Sequence, residues 1–298
     1  MGCLLEVILD LVMYKTYGAQ LQILVRTVKT YLKTADHHQI TILQSYFDRY
    51  KKFFSTIAFP YVSNGFSFTI MALCTKRGLP VDGWVPFSIE RSEIYSCVFF
   101  VQSYGIFQIS FSIFADFMIV GLLCYIAARL DILSEKMKQV TDYDLLTSCI
   151  KEHQEIIGFF EDTKAAVQTL LFKTNITMGG TVISAVLALL YVRNQSMVVA
   201  SQFLFIVLAG CGHMYVITWP ANDLKESSLR FAISLNDIRW IGKSREMKSA
   251  VLIMMLRSQK PFLIPMAGLL PPLSLEYFSQ FMSSVFSYFM TMRSMLEL

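Results

Sequence analysis

Five stretches of this chain are apolar for about 20 residues or more, enough to cross a lipid bilayer as helix, and that restricts the backbone more than any other feature. In hydrocarbon each N–H and C=O must find its partner inside the protein, so a span of this kind is helical unless it closes into a barrel. The stretches run from Phe53 to Cys74, Ser96 to Ile126, Asn175 to Val192, Val198 to Trp219 and Leu273 to Met292. Composition agrees, with 54% hydrophobic and 16% charged residues among 298, whereas soluble domains carry about 25% charged residues. The expected fold is all-α, a polytopic helical membrane protein with five clear spans in a lipid bilayer. Gly2 to Met13 is too short and carries Glu6 and Asp10, so it is not counted as a span. It also lacks the basic start of a signal peptide and the Ser or Thr at position 6 of a myristoylation site.

Charge sets the orientation. With residues 1–52, 127–174 and 220–272 inside, 21 of the 26 Lys and Arg are cytoplasmic. The remainder, Lys76, Arg77, Arg91, Arg193 and Arg293, lie outside. The positive-inside rule then places the N-terminus in the cytoplasm and the C-terminus outside. The chain divides into a cytoplasmic stretch (1–52), spans with cytoplasmic helical extensions (53–272) and a last span with an extracellular C-terminus (273–298). Leu130, Leu133, Met137, Ile150, Ile157 and Phe160 recur at helical spacing between Arg129 and Lys173, which predicts amphipathic extensions of the flanking spans. A net charge of +4 is too mild to imply nucleic acid as a partner.

The six cysteines lack C-x-x-C spacing and the only clustered histidines are His37 and His38, so neither a metal site nor a cofactor is expected. Cys74 and Cys97 flank one loop and could pair if it is extracellular. Of two glycosylation sequons, at Asn175 and Asn194, only the second falls outside in this topology. No G-x-S-x-G, Walker A or H-E-x-x-H occurs, and no catalytic residues are assigned. Asp48-Arg49-Tyr50 matches a G-protein-coupled receptor tripeptide, but there it ends a span and here it precedes one, so the match is treated as chance.

The last span carries the most information. At 100° per residue, Glu276, Gln280, Ser284, Ser287, Thr291 and Ser294 fall within an arc of about 80°. Two readings stay open: such arcs from several subunits line an aqueous pore, or small hydroxyl residues let helices pack closely. Glu276 follows Ser274, which suits an N-cap with a carboxylate on the helix dipole, and several copies would also form an acidic mouth for cations. Asp116 lies deep in the second stretch and is a functional or a structural buried acid. His213 reads as a packed polar group. Aromatic and Met side chains crowd the outer halves of the stretches, with Phe66, Phe68 and Met71 in the first, Phe99, Phe100, Tyr104 and Phe107 in the second, and Phe203 and Phe205 in the fourth. A small hydrophobic ligand would suit a cavity lined by Phe68, Met71, Phe100, Tyr104, Phe107 and Phe205, although aromatics at helical spacing also face lipid or neighbouring helices.

Leu256-Arg-Ser-Gln-Lys-Pro261, Pro272-Leu-Ser-Leu-Glu-Tyr-Phe278 and Ser287-Tyr-Phe289 closely resemble the signature of insect odorant receptors. Trp240, Trp84-Val-Pro-Phe87 and Ala128-Arg-Leu-Asp-Ile-Leu133 add weaker support. The resemblance implies a ligand-gated, non-selective cation channel with seven spans per subunit, assembled as a hetero-tetramer with an odorant co-receptor in the plasma membrane of olfactory neuron dendrites. It implies that the last helix lines the pore, that the helix before it joins subunits, and that odorants bind in the outer half. Within that resemblance, the short loop between the second and third stretches implies a tuning subunit rather than a co-receptor. Matching Tyr288-Phe289 to the family's Tyr-Phe puts Thr291 where a bulky Val or Leu commonly gates the pore, and Ser294 at a polar outer position. The family has two spans before the one starting near Phe53, and this chain offers at most the tail of the second, around Leu4 to Met13. The chain therefore looks N-terminally short. Two rivals follow: a truncated, non-conducting interaction partner, and a gustatory-type relative.

Overall fold

A computed structural model describes residues 2–74, 79, 91–192, 197–238, 240, 242–266, 268 and 270–296. Seven α-helices account for nearly all of them: α1 Gly2–Thr34, α2 His37–Cys74, α3 Ser92–Lys138, α4 Tyr143–Val192, α5 Met197–Ser234, α6 Arg245–Ser258 and α7 Leu275–Leu296. No strand longer than a single bridge, Met266 to Leu270, occurs among the described residues. Three of the helical stretches, Ser92–Lys138, Tyr143–Leu190 and Phe203–Asp237, are long and apolar enough to cross a membrane by length and composition. The other two apolar runs sit on α2 and α7. Helix length itself is informative. The 47 residues of α3 extend for about 70 Å at 1.5 Å each, more than twice a hydrocarbon core of about 30 Å.

The chain forms two compact units, residues 1–18 with 51–118, and residues 19–50 with 119–298. In the first, α2 and α3 meet through aromatic pairs. Phe54 stacks on Phe117 at 4.9 Å between ring centroids, and Phe66 meets Phe107 edge to face at 5.1 Å. Gly65 lets the backbones approach, since a Cβ there would lie 2.5 Å from Ser110 Oγ. Asp116 is buried in this unit. Cys74 and Cys97 are exposed free thiols.

In the second unit the C-terminal part of α3 is largely enclosed, with Glu135 and Lys138 exposed near its end. Leu123, Ile126, Leu130, Leu133 and Met137 are fully buried, as are Leu146 and Leu171 of α4. Phe160 stacks on Phe262 at 4.3 Å, tying α4 to the segment after α6. Ser244 caps α6, its hydroxyl oxygen accepting from Met247 N at 3.2 Å. The described residues between Pro261 and Ser274 form a strap in which Phe262, Ile264, Met266 and Leu273 are buried, and Leu273 N donates to Ile264 O at 3.0 Å. Its turn passes through Gly268 at φ 71°, a conformation that favours glycine. Beyond the strap, α7 packs on α4 and α5 around Val182, Val186 and Val285, with Val207, Cys211, Phe281 and Phe289 alongside. His213 is buried. Asn175 is buried too, its amide donating to Leu171 O at 2.9 Å and lying 3.3 Å from Met266 Sδ, so that sequon is a packing element. The Asn194 sequon, the Trp84–Phe87 loop, Lys76, Arg77 and Arg193 lie outside the described residues.

Candidate functional site

The strap delivers the chain to α7 at Ser274, whose Oγ accepts from Tyr277 N at 3.2 Å and so satisfies one of the helix's open donors. Leu275 N points to Asn222 Oδ1 of α5 at 3.5 Å. Glu276 then stands in the first turn, where a carboxylate interacts favourably with the positive end of the helix dipole.

Three faces run the length of α7. One packs inward on α4 and α5, with Tyr277 and Val285 buried and Phe281 and Phe289 half-buried. The second is the polar arc: Glu276, Gln280, Ser284, Ser287, Thr291 and Ser294 are all exposed. Within it, Ser284 Oγ donates to Gln280 O and Thr291 Oγ1 to Ser287 O, each at 2.9 Å. The third is equally open and mixed, carrying Met282, Phe286 and Met290, with Phe286 65% exposed, together with Ser279, Ser283 and Arg293.

A second polar constellation ties the N-terminal part of α2 to α5 and α3. Tyr50 O–H and Arg49 Nη1 both donate to Asp223 Oδ2, the guanidinium at 2.8 Å. One turn earlier on α2, Tyr46 O–H donates to Asp131 and lies 2.9 Å from Ser227 Oγ. Arg230 bridges this level, reaching Asp131 Oδ2 at 3.1 Å and Ser227 Oγ at 2.7 Å. Trp219 continues the line, edge to face with Tyr50 at 4.8 Å. Burial, assisted by the carboxylates, pushes both phenols well above the usual tyrosine range, so they stay protonated donors. Sequence reasoning set Asp48-Arg49-Tyr50 aside. The signal available was the register, with Tyr46 and Tyr50 four apart on α2 and Trp219, Asp223, Ser227 and Arg230 at helical spacing on α5.

The aromatic residues expected to meet a ligand are distributed more loosely. Phe107 is half-buried against Phe66 and continues into Phe111 at 6.4 Å. Phe100, Tyr104 and Phe205 are exposed on their helices. The side chains of Phe68 and Met71 lie outside the described residues.

A family model described as 7tm odorant receptor matches residues 1–286. Odorant receptor Or2 of Anopheles gambiae is 27% identical over 236 residues, covering 73% of this chain and 61% of that receptor. Odorant receptor 10 of Aedes albopictus is 23% identical over 276 residues, covering 87% of this chain and 72% of that receptor. The chain thus spans 61% to 72% of the length of these mosquito relatives. Among solved structures, the insect olfactory receptor OR5 of Machilis hrabei aligns with a TM-score of 0.78 over 98% of this chain and 78% of that one, at 17% identity. The same receptor in complex with eugenol aligns at 0.70 over 94% and 78%, at 16% identity. At these identities the likeness is one of fold.

Proposed function

This chain belongs to the 7tm odorant receptor family, and from that premise we propose that it is an odorant-tuning subunit of a ligand-gated, non-selective cation channel. Its partner is a co-receptor subunit in a hetero-tetramer of the plasma membrane, with the N-terminus cytoplasmic and the C-terminus outside. The observation that carries the reading is the exposed polar arc of α7. Lipid cannot satisfy Glu276 and Gln280 at the helix start, and several arcs turned toward one axis would let water do so. In that arrangement Glu276 lines the inner mouth and attracts cations. Gln280, Ser284, Ser287, Thr291 and Ser294 follow it outward. Met282, Phe286 and Met290 then serve the contact with a neighbouring subunit or lipid.

The ligand is a small hydrophobic odorant, in keeping with the eugenol complex of the Machilis receptor. It is met by the aromatic outer halves of the spans, with Phe68, Met71, Phe100, Tyr104, Phe107 and Phe205 as the contacts. Odorant opens the pore only by binding the open arrangement more tightly than the closed one. The test is co-expression with an insect odorant co-receptor in oocytes, recording current to an odorant panel with surface labelling in parallel. Odorant-evoked current that the co-receptor alone does not give is the expected result. Surface-expressed protein that adds no response across the panel would count against the tuning role and favour a non-conducting partner.

A further inference from the structure

Apart from α7 and the tyrosine–carboxylate ladder, the second unit holds a cavity of about 240 Å³ beside α1, α3 and α4. Its lining comprises Tyr125, Ile126 and Arg129 of α3 and Glu155, Ile156 and Phe159 of α4, with Thr27 of α1 at its edge. Arg129 is only 8% exposed. Its guanidinium carbon lies 4.2 Å from the Tyr31 ring centroid, Nη1 donates to Tyr125 Oη at 2.8 Å, and Nη2 reaches Glu152 Oε1 at 3.4 Å. Glu155 Oε2 is 3.9 Å away, and Nε is buried with no partner. A buried guanidinium that leaves donors unused is costly. Tyr125 accepts the bond from Arg129, which leaves its own proton to donate. Arg129 and Tyr125 both line the cavity, and the Tyr125 proton is the donor it offers.

Two further features define what would fit. Lys136 Nζ holds Glu152 Oε2 at 2.7 Å, so two cations stand against two carboxylates and the site has little net pull on an anion. The walls are aromatic and aliphatic, with Tyr125 and Phe159 edge to face at 5.1 Å between Ile126 and Ile156. The volume is enough for several waters or for a compact organic molecule. We propose that this cavity binds a neutral amphiphile: an aromatic or alkyl body carrying one acceptor oxygen, such as a ketone, ether, alcohol or phenol. The oxygen accepts the Tyr125 proton beside Arg129, and the body lies along Phe159 and the two isoleucines. The site is separate from the polar arc and does not depend on the channel reading.

Benzophenone combines a diaryl body with a ketone and serves as the probe. On irradiation its excited carbonyl takes a hydrogen atom from a nearby C–H and the two carbon radicals join, so no other reagent is needed. The full chain in phosphatidylcholine vesicles is irradiated with it and the adducts are mapped by peptide mass spectrometry. Saturable labelling within residues 125–129 and 155–159, displaced by excess benzhydrol, is the expected result. In Ile156→Trp, which fills the cavity, that labelling falls by about tenfold or more while labelling elsewhere holds. Thr27→Trp, at an exposed helix position on the cavity's edge, gives the same loss without testing the core. Labelling that neither variant reduces, that does not saturate, or that inorganic phosphate displaces and benzhydrol does not, would overturn the proposal. Since labelling reports occupancy without current, a silent channel leaves this result intact, and an unlabelled cavity leaves the channel reading intact.

Discussion

Tyr50 and His153 are both buried polar side chains, and they meet burial in opposite ways. Tyr50 gives its proton to the Asp223 carboxylate and remains a donor. His153 lies 4.6 Å from the Phe231 ring centroid and lines a small cleft with Arg257 and Lys260. Burial first, and the Arg257 charge second, lower its pKa from 6.5 to about 4. The unfolded chain binds this proton more readily than the folded one, so the contribution of neutral His153 is complete above about pH 6.5. It declines as pH falls and is lost below about pH 4, a total of roughly 3 kcal/mol. Denaturation of purified protein at pH 7.5, 6 and 5 should therefore give a steeper loss for the native chain than for His153→Leu, whatever the variant's starting stability. Parallel curves would show that His153 does not titrate in this window. Thr291 poses a different question, because its hydroxyl already donates to Ser287 O and needs nothing from outside the helix. If it stands at the constriction, Thr291→Leu makes that point harder to wet, and basal current should fall with a change in ion selectivity. Currents indistinguishable from the unaltered channel would remove Thr291 from the gate.

Between helices, small residues decide how closely the axes approach. A Cβ at Gly210 of α5 would lie 2.6 Å from Val182 Cγ2 of α4, and a β-branched valine has few rotamers into which to retreat. At Gly179 of α4 the nearest atom is Phe281 Cε2 of α7 at 3.7 Å, an ordinary contact. Gly210→Ala should cost about 1–3 kcal/mol by overpacking, whereas Gly179→Ala should be neutral or gain up to about 1 kcal/mol from helix propensity. Thermal unfolding of the two variants in detergent compares them directly, and equal midpoints would refute the close α4–α5 approach. The same scale shows what could be read from sequence. The arc on α7 and the Ser274 cap depend on spacing within one helix, and both appear where the 3.6-residue period puts them. Of the apolar residues at helical spacing, Leu130, Leu133 and Met137 on α3 and Phe160 on α4 are buried, while Ile150 and Ile157 on α4 are half-buried. The bonds from Tyr50 and Arg49 to Asp223 were not legible, because they span about 170 positions and depend on the mutual register of α2 and α5. The Arg129 cavity was missed for a similar reason: one basic residue in an amphipathic helix has the same sequence signature whether it reaches solvent or lies over Tyr31.

At the scale of the whole molecule, α7 presents more polar surface than its own chain covers. Gln280, Ser284, Ser287 and Thr291 are open along a helix whose opposite side is embedded against Val182 and Val186. Isolated in lipid, the glutamine and Glu276 would be left without adequate partners, so the arc must be met by water or by another subunit. These alternatives differ in what can reach the arc. If water meets it, a cysteine on the arc lies in the ion path, and one on the inward face does not. Ser287→Cys in the assembled channel should react with a cationic, water-soluble thiol reagent and lose current, faster when the pore is open than when it is closed. Val285→Cys, 9% exposed at the inward face, should be spared. The unaltered chain serves as the reference, because its exposed Cys74 and Cys97 are open to the same reagent. Protection of Ser287→Cys in every state, with intact odorant-evoked current, would instead place the arc in a close helix–helix contact. The hydroxyls of Ser284 and Thr291, already bonded within their own helix, would then be there to let two backbones approach.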